Sequence, residues 1–335
     1  MTNLAHGSYS MFGVRLTVSG SARVLETMHR RLRHFSASSE GEPDLSFEFT
    51  TLASGERHQI APSGLGRPIG PLDAADFRLE YVPAADQVFA NYQDRVLLLC
   101  DPASGRATIS IAHPEAANLW TAAHPMFVIA LFELLKRRGY FNLHAAGLSV
   151  DGGAVLLAGH SGSGKSTLAV ALSRAGLELM SDDYVFLTRM PHGLRLLGFP
   201  EDIDLLDESI AMFPELASVL RTARRDGWRK RQIKLEDHWK VRPAGKAAPC
   251  LLLFPRVGNT DRSSVVQIDT RDAVSELVSN IQFTQPKLAQ THLDLIGDLV
   301  RGSDSYRLTT GRDFDSLSST IRGLAATARE RHGTA

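Results

Sequence analysis

Ala154-Val155-Leu156-Leu157-Ala158-Gly159-His160-Ser161-Gly162-Ser163-Gly164-Lys165-Ser166-Thr167 is the stretch that decides the fold. Residues 154–158 are all apolar and have the length of a buried strand. Gly159 to Ser166 then satisfies G-x-x-x-x-G-K-[ST] in full. Behind it, Lys165–Ala175 places Leu168, Leu172 and Ala175 on one side of a helix, and Gly176 closes the run. Strand, glycine-rich loop and helix in that order are the context the motif requires. Glycines at 159, 162 and 164 let the backbone curl until successive N–H groups point inward at phosphate oxygens. The new helix adds the positive end of its dipole. Lys165 would bring an ammonium to the β and γ phosphates, and the Ser166 hydroxyl would complete the octahedral shell of a magnesium ion. ATP and Mg2+ are the expected cofactors, with Gly159, His160, Ser161, Gly162, Ser163, Gly164, Lys165, Ser166 and Thr167 forming the phosphate cradle.

The flanks narrow the class. Upstream, Leu148-Ser149-Val150 and Ala154–Ala158 enclose Asp151-Gly152-Gly153, and Asp-Gly is a strong hairpin signal. The loop's strand should pair with an antiparallel neighbour, unlike the all-parallel core of GTPases and motor ATPases. Downstream, Leu177–Met180 reads as a short strand running into Ser181-Asp182-Asp183. Two adjacent carboxylates so close to a phosphate site can divide two tasks. One holds magnesium, and the other accepts a proton from an attacking hydroxyl. Neither a guanine-recognition signature nor a transporter-ATPase signature is present in the sequence.

His144-Ala145-Ala146-Gly147, the hairpin, Gly159–Thr167 and Leu179-Met180-Ser181-Asp182-Asp183 together resemble the HPr serine kinase/phosphorylase family and its relatives in modified-peptide pathways such as lasso peptide biosynthesis. Phosphoenolpyruvate carboxykinases share the wider fold. The resemblance is specific over residues 140–190 and weaker beyond. It implies an α/β fold: a P-loop kinase domain of HPr-kinase/phosphoenolpyruvate-carboxykinase type with a mixed sheet, preceded by a smaller α+β domain. It also implies residue roles. Asp182 would be the general base, Asp183 with Ser166 would hold the metal, and His144 would lie beside the reaction centre with Lys165. Thr167 stands where bacterial HPr kinases carry glutamate, and their Glu-x-Arg-Gly signature is missing downstream. The reverse phosphorolysis and HPr itself as acceptor are therefore not expected.

The rest of the chain organises around that half. Gly13–Val18, Leu45–Leu52, Phe77–Val82, Gln87–Tyr92, Val96–Leu99 and Ala107–Ile111 read as strands. Ala22–Phe35 has helical spacing, and Gly55–Gly70 reads as a flexible loop. Residues 1–112 thus form an α+β domain, a candidate for substrate or partner binding. Residues 113–139 form a connecting helix, interrupted at His124-Pro125, and residues 140–335 the kinase domain. Ala248–Arg256 and Ser303–Thr309 are expected strands, and Asp315–Ala326 a closing helix ahead of a frayed tail.

With 335 residues, 43% hydrophobic and 22% charged, the chain suits one large or two ordinary globular domains. Acidic and basic residues balance at 37 each, which argues against a general nucleic-acid binder. Cys100 and Cys250 lie in apolar runs and read as buried thiols. The most apolar stretch, Met126–Leu135, is shorter than a membrane span. No secretory segment opens the sequence, so a cytoplasmic location is the default. Subunit number is open, a homo-oligomer included.

Arg221, Arg224, Arg225, Arg229, Lys230, Arg231 and Lys234 form a basic cluster. A solvated helical face is the ordinary explanation, and an approach of Lys230, Arg231 or Lys234 to the phosphates is the sharper one. Arg307 and Arg312 are candidates to face the substrate, while Trp228 and Trp239 read as packing residues. The expected activity is ATP-dependent phosphorylation of a serine hydroxyl on a peptide or small protein. The competing classes are a nucleotide-gated scaffold and a kinase for free serine or another small molecule. A carboxykinase is disfavoured because no second metal motif is visible.

Overall fold

The computed structural model describes residues 5–37, 41–53, 56, 58, 67–68, 77–221, 229–239 and 244–333. The architecture is α/β with mixed sheets. The chain divides into two compact units: Met1–Tyr140 with Phe283–Ala289, and Phe141–Gln282 with Gln290–Ala335.

In the first unit, β1 (Ala5–Met11) and β2 (Val14–Gly20) form a hairpin closed by Phe12 and Gly13, at φ 57° and 85°. Positive φ at both central residues matches the twist of the flanking strands. Helix α1 (Ala22–Arg31) follows, and the Ser21 hydroxyl accepts from the Val24 N–H to cap its first turn. Strands β3 (Leu45–Thr51), β4 (Arg67–Pro68), β5 (Phe77–Val82), β6 (Gln87–Tyr92), β7 (Val96–Asp101) and β8 (Arg106–Ile111) complete a sheet ordered β1-β2-β3-β8-β7-β6-β5-β4. β3 runs parallel to both neighbours, and the other pairs are antiparallel. Helices α2 (Ala116–Thr121) and α3 (Phe127–Lys136) cover this sheet with α1, and the Phe47 and Phe127 rings meet at 4.8 Å. The expected loop at Gly55–Gly70 lies outside the described residues, apart from Glu56, His58, Arg67 and Pro68.

The expected interruption at His124-Pro125 is corrected. Ala122–Met126 form a π turn that holds Pro125 between α2 and α3. A wider turn tolerates a residue with no N–H to donate, so the helix continues. As a result Ala117–Lys136 is 20 residues long, enough to cross a membrane by length and composition alone, contrary to the shorter stretch read from sequence. Yet 83% of its most apolar window is buried inside the protein. The helical run expected as a connection belongs to the first unit.

The second unit opens with β9 (Phe141–Val150) and β10 (Gly153–Ala158), the antiparallel hairpin turned by Asp151 and Gly152 at φ 48° and 79°. Helix α4 (Lys165–Arg174) ends in two cap bonds: Gly176 N–H to Ser173 O at 2.9 Å and Leu177 N–H to Leu172 O at 3.1 Å. Gly176, at φ 89°, supplies the left-handed residue this cap needs. Then come β11 (Glu178–Ser181), β12 (Tyr184–Met190), β13 (Gly193–Gly198), β14 (Ile203–Leu205), α5 (Asp207–Ile210) and β15 (Arg231–Ile233). Strand β16 (Lys246–Val257), β17 (Ser264–Gln267), α6 (Thr270–Val278), α7 (Pro286–Arg301), β18 (Asp304–Thr310) and α8 (Phe314–His332) finish the chain. The closing helix is longer than expected and replaces the frayed tail. Arg331 and His332 bond the buried Asp304 carboxylate at 2.7 and 3.0 Å and hold the last turn down.

The main sheet is mixed, ordered β10-β9-β12-β13-β16-β18-β17, with β10 also parallel to β16. Leu168 and Leu172 of α4 and Leu317, Ile321 and Ala325 of α8 pack into one core with Val155, Leu157, Leu251 and Leu253. Strand β9 has two sets of partners. Residues 141–144 pair with β12, whereas residues 145–150 pair with β10 on one edge and, in part, with β11 on the other. His144 sits at the change of partner. Asp182 and Asp183 are the connection that crosses it from β11 to β12.

Candidate active site

The glycine-rich loop leaves the buried end of β10 and turns at Gly159, Gly162 and Gly164, with φ of 153°, 80° and 94°. Side chains rarely adopt these angles, which accounts for glycine at all three positions. Gly164 is the N-cap of α4 and offers no side-chain cap, so the first N–H groups of that helix remain open to an anion. Lys165 is buried and folds back along the loop. Its Nζ donates to Gly159 O at 2.6 Å and His160 O at 3.1 Å. Burial pushes its pKa below the usual lysine value, against the opposing charges of Asp183 and Asp182. His160 and Ser161 are exposed, and the His160 ring meets the Ser161 carbonyl. The Ser163 hydroxyl is buried with no hydrogen-bond partner. Thr167 Oγ1 donates to Ser209 Oγ at 2.9 Å, tying the start of α4 to α5.

Asp182 is almost fully buried, at 5% exposure. The Ser166 hydroxyl bears on its carboxyl, and Oδ1 is buried without a partner. Burial, with the neighbouring Asp183 charge behind it, raises its pKa to about 8, while Ser166 and the Lys230 charge pull the other way. The turn that presents both aspartates is held by Ser181, whose hydroxyl accepts from the Tyr184 N–H at 3.1 Å.

His144 joins them through backbone and ring. Its N–H donates to Asn280 O at 3.2 Å, the next amide, Ala145, donates to Asp183 O at 3.0 Å, and its ring packs 5.3 Å from Tyr184. The Asp183 backbone and charge favour the protonated imidazole, and Nδ1 is buried without a partner. Burial first, then the Lys165 charge, lowers its pKa, so the ring is neutral near pH 7. The structure therefore brings Lys165, Asp182, Asp183 and His144 close enough for their charges to act on one another, with Ser166 beside Asp182.

Of the basic cluster, Lys230 acts on this group: its charge bears on His144, Lys165 and Asp182. Arg231 does not, since its guanidinium is paired with Asp207 at 2.8 Å. Lys234, Arg221 and Arg229 are exposed, and Arg224, Arg225 and Trp228 lie outside the described residues. Arg307 is engaged with Glu276 and Asp272 at 3.6 and 3.8 Å, and Arg312 is exposed. Trp239 packs edge-on to Phe213 at 6.4 Å, as a packing residue should.

Sequence reasoning missed Ser181, Asn280 and Asp204, whose charge also bears on Asp182. A serine three residues before an amide it can cap was a readable signal for the first. Nothing local marked the other two.

No protein-family model matches the chain, and no curated protein matches it. Among solved structures it is similar to the Hpr(Ser) kinase/phosphatase from Coxiella burnetii. That similarity has 15% identity and a TM-score of 0.29, over 57% of this chain and 97% of that one. A likeness this weak carries no weight on activity. The class of protein rests on the site itself.

Proposed function

We propose that the chain is an ATP-dependent phosphotransferase with a hydroxyl acceptor. The observation that carries this is a buried carboxyl, Asp182, which lies under the influence of the first-turn Ser166 and Lys230, keeps Oδ1 unpartnered and has its pKa raised to about 8. A general base works best with a pKa near the working pH, and few aspartates have one.

Ser166, Asp182 and Asp183 offer an all-oxygen donor set of the kind magnesium prefers, with Ser166 and Asp183 as its holders. Among the described residues no group of three or more His, Cys, Asp or Glu could hold a metal unaided. When bound, MgATP supplies the phosphoryl group and the cation that neutralises it.

The chain's own residues do the rest. The loop amides and Lys165 orient the triphosphate and offset its charge. The unpartnered Asp182 Oδ1 takes the proton of the acceptor hydroxyl. The acceptor oxygen, relieved of its proton, then bonds to the γ-phosphorus as the bond to the leaving ADP breaks. His144, neutral and with its Nδ1 buried without a protein partner, positions the alcohol. Lys230 adds positive charge.

The acceptor we favour is a serine on a peptide or small protein, and the motif resemblance points to precursor peptides of modified-peptide pathways. The N-terminal unit is the part we assign to holding it. A cytoplasmic setting fits the ATP requirement and the two unpaired buried cysteines.

Labelled γ-phosphate tests the reaction. Label transferred to a serine peptide or to free serine supports it. Label released only as inorganic phosphate would make the chain a nucleotide-gated scaffold.

A further inference from the structure

Val257 is the last residue of β16 and, at 66% exposure, the most exposed large hydrophobic among the described residues. A single exposed valine needs no explanation in itself. Its position does. β10 and β16 are parallel, so both strands end on the same side of the sheet, β10 in the glycine-rich loop and β16 in Val257. Ligands in α/β proteins collect outside such carboxyl ends. Val257 also touches the loop: a Cβ added to Gly164 would meet its Cγ2 at 3.2 Å.

The segment behind Val257 is firmly laced. Gly258 N–H donates to Thr310 O at 2.9 Å and Arg312 N–H to Asp261 O at 3.2 Å. Ser263 donates to Asp313 Oδ1 through its N–H at 2.8 Å and through its hydroxyl at 2.6 Å, and that hydroxyl accepts from the Gly311 N–H at 2.9 Å. Gly311 has no room for a side chain, because an added Cβ would lie 2.6 Å from the Arg262 backbone. So many bonds fix an apolar side chain in the open, beside a loop built for phosphate. A free surface loop has no need of this, whereas a preorganised contact for a ligand does.

Resting on the phosphate-loop reading above, we infer that Val257 is the apolar platform for the nucleoside part of the bound triphosphate. The loop and Lys165 hold the phosphates, and Val257 covers a face of the sugar or base.

Calorimetric titration of the full chain separates the two claims. The probes are a non-hydrolysable ATP analogue and inorganic tripolyphosphate, both with magnesium, applied to wild type, Val257→Ala and the near-isosteric Val257→Thr. Melting curves confirm that each variant folds. The expected result is that both substitutions weaken the ATP analogue, Val257→Ala by about three- to tenfold, and leave tripolyphosphate affinity within about twofold. An equal loss for both probes would make Val257 a support of the loop and overturn the inference, as would no loss for either. Wild type binding neither probe would sink the phosphate-loop reading itself, and the inference with it.

Discussion

One buried cluster in each unit carries charge, and the two clusters treat it in opposite ways. In the first, Glu133 and Lys136 lie inside the protein at 2% and 4% exposure and pair at 2.8 Å. Thr284 and Gln285 close the set: Lys136 donates to Thr284, while Thr284 and Gln285 donate to Glu133. In the second unit, Asp182 Oδ1, His144 Nδ1 and Ser163 Oγ are buried with no protein partner. A satisfied buried network fastens a fold, and unsatisfied buried atoms cost about 1–3 kcal/mol each unless something else meets them. The first cluster ties the returning segment 283–289 to α3. In the function proposed here, the second is what a ligand satisfies.

The contrast can be broken at either end. Lys165→Ala should have the greatest effect, lowering phosphoryl transfer by at least about 1,000-fold, with the melting temperature little changed. Asp182→Asn should lower turnover by about 100- to 10,000-fold and retain the ATP analogue, as paired activity and binding assays will show. A wild-type rate would remove Asp182 from the chemistry.

In the first unit, Glu133→Ala strands a buried lysine. It should cost about 3–5 kcal/mol in denaturant unfolding without changing affinity for the nucleotide analogue in the folded protein. If affinity falls as well, the two clusters are not the independent devices described above.

The pH dependence of stability is a smaller and sharper test. The Asp182 carboxyl in the folded chain holds a proton up to about pH 8 that the unfolded chain releases near pH 4. Its contribution is therefore fully present below about pH 4 and is lost as pH rises towards 8. Wild type should lose stability across that window relative to Asp182→Asn, which cannot ionise. The melting-temperature difference should favour the variant by a few degrees at pH 8 and shrink at pH 5.

Much of the site could be read before the structure because its signals are local. Asp151-Gly152 prescribes a tight hairpin, the glycines of 159–164 prescribe a curled loop, and Gly176 prescribes the end of α4. What escaped depends on partners distant in sequence. Strand β1 carries mostly small and polar residues, Ala5–Met11, and becomes a strand because β2 is beside it. Pro125 argues for a break unless the wider turn is foreseen. Arg331 and His332 look like a loose tail until Asp304 is placed opposite them. His144 was singled out by resemblance, but the change of strand partner that brings it to the aspartate turn is visible only in the sheet.

The most direct measurement follows the Asp182 carboxyl through pH by carbon-detected magnetic resonance, in the free chain and with the magnesium-bound ATP analogue. The expected result is a midpoint near 8 in the free protein, displaced downward once the analogue and its cation bind. A midpoint near 4 that the analogue leaves in place would contradict the assignment of that carboxyl to the phosphoryl-transfer site.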